Sequence, residues 1–148
     1  MNNIAEIFES LKKASFPGLN LSEDSNALIC GEESLVSLLF TLKKEYHFQQ
    51  LADLTAADLP DSLELVYHLM KLENAELIRV KLKVSRNNPQ APSITSLWKA
   101  ADVQEREAFD MFGVNFTGHP ELKRILLAED FEGHPLCKDY KLDIPSRF

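Results

Sequence analysis

Apolar residues recur along the first half of the chain with two different periods. Ile4, Ile7, Phe8 and Leu11 follow the i, i+3, i+4, i+7 spacing of one helical face, which predicts a helix over 3–14 that Phe16-Pro17-Gly18 ends. Asn2 or Asn3 can cap it. Short strands are expected near 19–21 and 27–30, with a turn at Glu23-Asp24-Ser25-Asn26. A second helix follows Gly31-Glu32-Glu33 and carries Leu35, Leu38, Leu39, Leu42 and Tyr46 on one side. Its glutamates near the start and Lys43 and Lys44 near the end suit the helix dipole. The period then drops to two. Residues 48–58 read as a strand with an irregular end, and 63–72 as a mostly apolar interior strand. From 77 to 85, Ile78, Val80, Leu82 and Val84 alternate with Arg79, Lys81 and Lys83. Glu73-Asn74-Ala75 connects these last two strands as a hairpin. The basic residues on one face read as a solvated sheet surface or as a binding stripe. Residues 86–93, with two prolines and two asparagines, read as a loop with neither helix nor strand.

Hairpin-linked strands pair antiparallel, so the fold class is α+β: a mostly antiparallel sheet with helices on one face. A sheet domain is expected over 1–97. After it, 98–148 is expected to form a charged helix and an extended C-terminal arm. On that helix Trp98, Ala101, Glu105, Ala108, Phe109 and Phe112 share a face, which places a glutamate within an apolar stripe. Glu105 must emerge at the rim or find a partner. Arg106 and Asp110 have the i, i+4 spacing of a surface ion pair. Gly113 stands where a left-handed residue ends a helix. Pro120 is placed to open a short helix over 121–128, with His119 near its cap.

The tail is rich in turn residues yet not polar. Three of the five glycines fall in 113–133, and Gly-His-Pro occurs at 118–120 and again at 133–135. The same tail carries Phe116, Ile125, Leu126, Leu127, Phe131, Leu136, Tyr140, Leu142, Ile144 and Phe148. An irregular segment with so many apolar groups wraps its own domain or lies on another subunit.

Composition narrows the function. The 148 residues suit one domain, and 45% apolar with 26% charged residues is a globular balance. The formal net charge of −7 argues against nucleic acid and against an anionic membrane surface. Cys30 and Cys137 are too far apart for a C-x-x-C motif, which suggests a reducing compartment. No apolar run is long enough to span a bilayer, and Met1 to Leu11 lacks the basic start of a signal peptide. Glu105, Glu107 and Asp110 with His119 could be taken for an acid–base cluster. Yet the chain has no nucleophile, zinc or nucleotide motif to accompany them. His119 and His134 sit in turn contexts, without the spacing of metal ligands.

Glu105-Arg106-Glu107-x-x-Asp110-x-Phe112-Gly113-Val114-x-Phe116-x-Gly118-His119-Pro120, then Arg124-Ile125-Leu126, then Gly133-His134-Pro135-Leu136-x-Lys138-Asp139-Tyr140 resembles a family signature. The family is the C-type subunit of proton-translocating NADH:quinone oxidoreductase, respiratory complex I, with relatives in energy-converting hydrogenases and the photosynthetic NDH complex. Phe48-x-x-Leu51-x-Asp53-Leu54-Thr55-Ala56-x-Asp58 is similar to the family's earlier segment. Lys123 and Cys137 replace usual arginines, and Lys141 a common proline. The Cys137 change removes a charge and a fork of donors.

The resemblance implies a non-catalytic peripheral-arm subunit on the cytoplasmic side of the cell membrane. It implies no cofactor in this chain, with iron–sulfur clusters and FMN in neighbouring subunits. The implied partners are the D-type large subunit, on which the arm lies, and other peripheral-arm subunits. Partner-binding residues are then expected among those quoted from the signature between Glu105 and Tyr140. A hydrogenase or formate hydrogenlyase subunit, or a stand-alone carboxylate enzyme, are the alternatives.

Overall fold

The structure is a computed structural model that describes residues 4–138. Helix α1 (Ile4–Lys12) is followed by strands β1 (Asn20–Leu21) and β2 (Leu28–Ile29), then by helix α2 (Leu35–Lys44), entered through a 3-10 turn at Glu32–Ser34. Three nine-residue strands come next: β3 (Gln50–Asp58), β4 (Ser62–Met70) and β5 (Leu77–Ser85). The chain then forms β6 (Gln90–Pro92), α3 (Ala101–Phe112) and β7 (Asn115–Thr117).

The main sheet has the order β1-β2-β5-β4-β3. The β3–β4 and β4–β5 pairs are antiparallel hairpins, as the alternation predicts. The β2–β5 pair is parallel, because the chain leaves β2 and returns only after α2 and the β3–β4 hairpin. The sheet is therefore mixed, within an α+β architecture.

One face of the sheet is dry. Leu63, Leu65, Tyr67 and Leu69 of β4 and Ile78, Val80, Leu82 and Val84 of β5 all point into it. They join Ile7, Phe8 and Leu11 of α1 and Leu35, Leu38, Leu39 and Leu42 of α2 in one core. The opposite face carries the basic residues of β5. Lys81 pairs with Glu64 at 3.7 Å, and Arg79 donates to the His68 ring at 2.9 Å. That is a solvated sheet surface with local partners.

The irregularity expected in β3 is a bulge. The register shifts between Leu51 and Asp53, so Leu51 and Leu54, three residues apart, are both buried. Residues 86–93 do contain a strand, contrary to the loop reading. β6 pairs in parallel with β7, with Ala91 opposite Phe116. Pro92 is tolerated because, among the described residues, β6 pairs with β7 alone, leaving one edge on which a missing N–H costs nothing.

Helix α3 lies along the edge strand β3, where Gln104 Oε1 accepts the Leu54 N–H. It starts at Ala101, so Trp98 precedes it in a turn instead of sharing its face. There Trp98 is anchored by an indole N–H to Gln49 O bond of 2.7 Å and covered by the Lys43 ammonium.

The assignment of faces predicts a sharp contrast. Leu65→Ala should destabilise by about 2–5 kcal/mol, whereas Lys83→Ala on the outer face should stay within about 0.5 kcal/mol. Urea unfolding of the two variants measures both.

Candidate functional site

Several of the signature residues meet at the C-terminal end of α3. A helix leaves its last four carbonyls without intrahelical partners. Here the segment after the helix supplies them. Gly113 N–H reaches Phe109 O at 2.9 Å. Asp110 O accepts from Arg124 Nη1 at 3.3 Å and lies 3.0 Å from His134 Nδ1. Met111 O accepts the Leu136 N–H at 3.0 Å, and Phe112 O the Cys137 thiol at 3.2 Å. Residues 113–138 thus form a strap folded back over the helix that precedes them.

Gly113 makes the reversal possible for two reasons. Its φ of +80° is the left-handed conformation that disfavours a side chain. A Cβ there would also come within 2.7 Å of the His134 ring. The glycine expected to end the helix is therefore also the seat of the second Gly-His-Pro turn. Phe109 meets the same ring edge-on, with centroids 6.2 Å apart.

Asp110 closes the lock. It is fully buried, and Arg124 Nη1 donates to its Oδ1 at 2.6 Å. Its Oδ2 accepts three successive backbone N–H groups, from Ile125 at 3.2 Å, Leu126 at 2.8 Å and Leu127 at 3.0 Å. Burial raises the carboxyl pKa, but Arg124 and the three amides together outweigh it and hold the group below its usual range. This geometry corrects two expectations. Asp110 does not pair with Arg106 on the helix surface; Arg106 instead donates to the Lys123 and Arg124 carbonyls, at 3.0 and 3.2 Å. No helix forms over 121–128, because the amides that would build it converge on the carboxylate as an anion nest. Arg124 also donates to Gly133 O at 2.8 Å, which ties both halves of the strap.

The first Gly-His-Pro turn is held from the start of α3. The His119 ring is buried, its Nδ1 accepts the Glu121 N–H at 2.9 Å, and its Nε2 lies 3.1 Å from both Asp102 O and Asp102 Oδ1. With Nδ1 accepting, Nε2 carries the hydrogen and donates to Asp102. Gly118, at φ +88°, makes the turn, and Phe116 is buried in β7 just before it. Among the described residues no cluster of three histidines, cysteines or carboxylates could hold a metal ion.

Glu105 faces the other way. It is fully buried, and its Oε1 accepts from Ser93 Oγ at 2.9 Å and from Ile94 N at 2.8 Å. Burial pushes its pKa up to about 7, against the opposing effects of Ile94, Ser93 and His119. Glu107 is exposed on the rim of an apolar groove with Leu54, Ala56, Met111, Phe112, Leu126 and Leu136. Glu105 bonds to the 93–94 turn, Asp110 to Arg124 and the amides of 125–127, and His119 to Asp102 and Glu121, so each has its own set of partners.

A family model described as respiratory-chain NADH dehydrogenase, 30 Kd subunit, matches residues 28–146. The chain belongs to this family. It is 50% identical over 131 residues to the C-type subunit of the NADH-quinone oxidoreductase of Moorella thermoacetica, covering 86% of this chain and 88% of that one. It is 44% identical over 113 residues to the fused C/D-type subunit of the Acinetobacter baumannii NADH-quinone oxidoreductase, covering 70% of this chain and 19% of that protein. In structure it is similar to a chain of a membrane-bound sulfane sulfur reductase, an archaeal respiratory membrane complex. The TM-score is 0.77 at 26% identity, over 97% of this chain and 94% of that one. The chain is thus a subunit of a membrane-bound respiratory complex, with other members of the complex as partners. No helix among the described residues is long and apolar enough to cross a membrane.

For this member of the 30 Kd family, the structure brings part of the signature to the C-terminal end of α3, where Arg106, Asp110, Gly113, Arg124, Gly133 and Leu136 interlock. Phe116, Gly118, His119 and Pro120 belong to the turn held by Asp102 at the start of the helix. Glu105 and Glu107 lie on other faces, and Lys138 reaches β3 through its backbone N–H, which donates to Asp58. Asp139 and Tyr140 lie outside the described residues. Sequence reasoning missed the ion pair between Arg86 and the buried Asp58, which receives the strap. It also missed Asp102 as the partner of His119. Asp58 and Lys138 are 80 positions apart, and no periodicity links them.

Arg124→Ala leaves the Asp110 charge buried without its cation and should cost about 3–5 kcal/mol. Gly113→Ala should destabilise as well, through the positive φ and the clash with His134; chemical denaturation measures both. Asp110 also sets an acid limit. Its folded pKa is lowered, so its contribution to stability is present above the unfolded value of about 3.9 and is lost as the pH falls through the folded value. Asp110→Asn should remove this part of the acid dependence, read as thermal midpoint against pH.

Proposed function

We propose that the chain is a non-catalytic docking subunit of a proton-translocating NADH:quinone oxidoreductase, supporting electron transfer from NADH to quinone from the peripheral arm. It holds no iron–sulfur cluster or flavin of its own and works on the cytoplasmic side of the membrane. Its principal partner is the D-type large subunit, a reading supported by the relative in which the C and D parts share one polypeptide.

The observation that carries this reading is the strap. Its backbone is fixed on α3, yet it presents Leu126 and Leu136 with 59% and 55% of their surface exposed. Leu126 is tied through its N–H to Asp110, and Leu136 through its N–H to Met111. Large apolar side chains on anchored backbone are pre-organised for a partner, since little ordering entropy is lost on binding. With them, Arg106, Asp110, His119, Arg124 and Lys138 fix the strap that the partner meets.

A second reading is an equivalent subunit in another membrane-bound redox complex, hydrogenase or formate hydrogenlyase included. The likeness to the sulfane sulfur reductase chain favours it. Identity of 50% to a quinone oxidoreductase subunit, against 26% to that chain, ranks the quinone complex first.

Co-expression with the D-type subunit and affinity co-purification tests the docking role. The Leu126→Asp/Leu136→Asp variant should keep its fold by circular dichroism and lose at least about tenfold in retained partner, in the range expected for hot-spot residues. Retention equal to the unmodified chain would exclude the strap as the docking surface.

A further inference from the structure

Two strands bound the main sheet, and they are not alike. β1 is two residues long, whereas β3 has nine. A long edge strand offers unpaired N–H and C=O groups to any extended chain, and proteins blunt such an edge with lysine, proline or a cover. Residues 50–58 contain neither lysine nor proline.

The register tells which groups of β3 are open. Leu54 stands opposite Tyr67 of β4, yet its N–H goes to Gln104 Oε1 on α3. The Leu54 backbone therefore faces away from β4. So does that of Ala56, because the direction of the backbone groups alternates along a strand. The Leu59 N–H, which turns back to Ser62 O, keeps the same alternation. Gln104 occupies the Leu54 N–H, and the Asp58 carboxylate receives the strap. Between them, the Ala56 N–H and C=O have no hydrogen-bond partner among the described residues.

This stretch of edge opens into the apolar groove. Leu54 and Ala56 line it from β3, Met111 from α3, and Leu126 and Leu136 from the strap. Its volume of about 220 Å³ lies below the ~300–1,000 Å³ of sites for whole small ligands and suits one large side chain. Glu107 is the one charged residue on the described lining, exposed and without an ion-pair partner among the described residues. An occupant that matches both features is an extended, partly basic segment. A second copy of β3 does not match, since residues 50–58 carry two aspartates and no basic residue.

We propose that an extended segment of the D-type partner adds to the β3 edge at Ala56, its backbone bonded to the Ala56 N–H and C=O. One large apolar side chain of that segment enters the groove. An arginine or lysine two positions away, on the same face of the added strand, meets Glu107. This mode of contact rests on docking to the D-type subunit and joins the strap and the sheet edge into one surface.

The test is amide hydrogen exchange on the full chain, free and co-purified with the D-type subunit, read by mass spectrometry on fragments that isolate the Ala56 amide. In the complex this amide should exchange at least about tenfold more slowly, as a newly formed strand bond requires. Ala56→Pro removes no ladder bond and should keep its fold. It should lose at least about fivefold in retained partner, because a carbonyl of the added segment is left without its donor. Glu107→Lys should also lower retention, more at low salt than at high salt. A retained partner with the Ala56 amide exchanging as in the free chain overturns the proposal and leaves D-type docking in place; so does full retention by Ala56→Pro. Full retention by Glu107→Lys overturns the basic residue. Failure of the unmodified chain to retain any D-type subunit overturns the docking and this contact together. Protection that grows in the free chain with its concentration overturns the proposal in favour of a second copy. Should Ala56→Pro fail to fold, exchange in the unmodified complex decides.

Discussion

A carboxylate without water is stable only where donors surround it, and at Asp110 those donors come from the chain that follows. Arg124 and the amides of 125–127 can reach it only if the chain turns sharply after α3. Gly113 allows that turn, and His134 and Leu136 then cap the carbonyls that the turn leaves open. Each step requires the one before it. The strap is accordingly fixed by polar contacts at its base while its leucines stay outside, the reverse of an ordinary core segment.

The same requirement explains what the residue pattern concealed. A Pro120-opened helix satisfies every local rule for 121–128, but the helix would consume amides that the buried carboxylate needs, and the carboxylate wins. Likewise Arg106 and Asp110 have the spacing of a surface pair only if Asp110 is on the surface. Its burial depends on Arg124, 14 positions later, and local spacing carries no information about that. β6 was hidden by Pro89 and Pro92 for a similar reason: its partner β7 lies beyond the whole of α3.

Where the answer lay in nearest-neighbour chemistry, the sequence was readable. The period of 3.6 located α1 and α2, the apolar run at 63–72 located β4, and the period of two located β5 with its two faces correct. Gly113 was legible because a left-handed helix end has few alternatives. The placement of Glu105 in an apolar stripe was legible too, although its partners in 93–94 were not. The signature residues could be recognised as a set, but their division of labour appears only in three dimensions. Some form the lock, some the first turn, and Glu107 lies on the groove rim.

Glu105 and Asp110 make that division physical. Five positions apart on one helix, they are equally buried and are driven in opposite directions. Burial acts on both; what differs is the donor set. Asp110 meets an arginine and three amides, enough to make the charged form the stable one. Glu105 meets one amide and one hydroxyl on a single oxygen, too few to offset the loss of water. The helix is thus held to the strap by a charge and to the 93–94 turn by a carboxyl whose charged form burial disfavours.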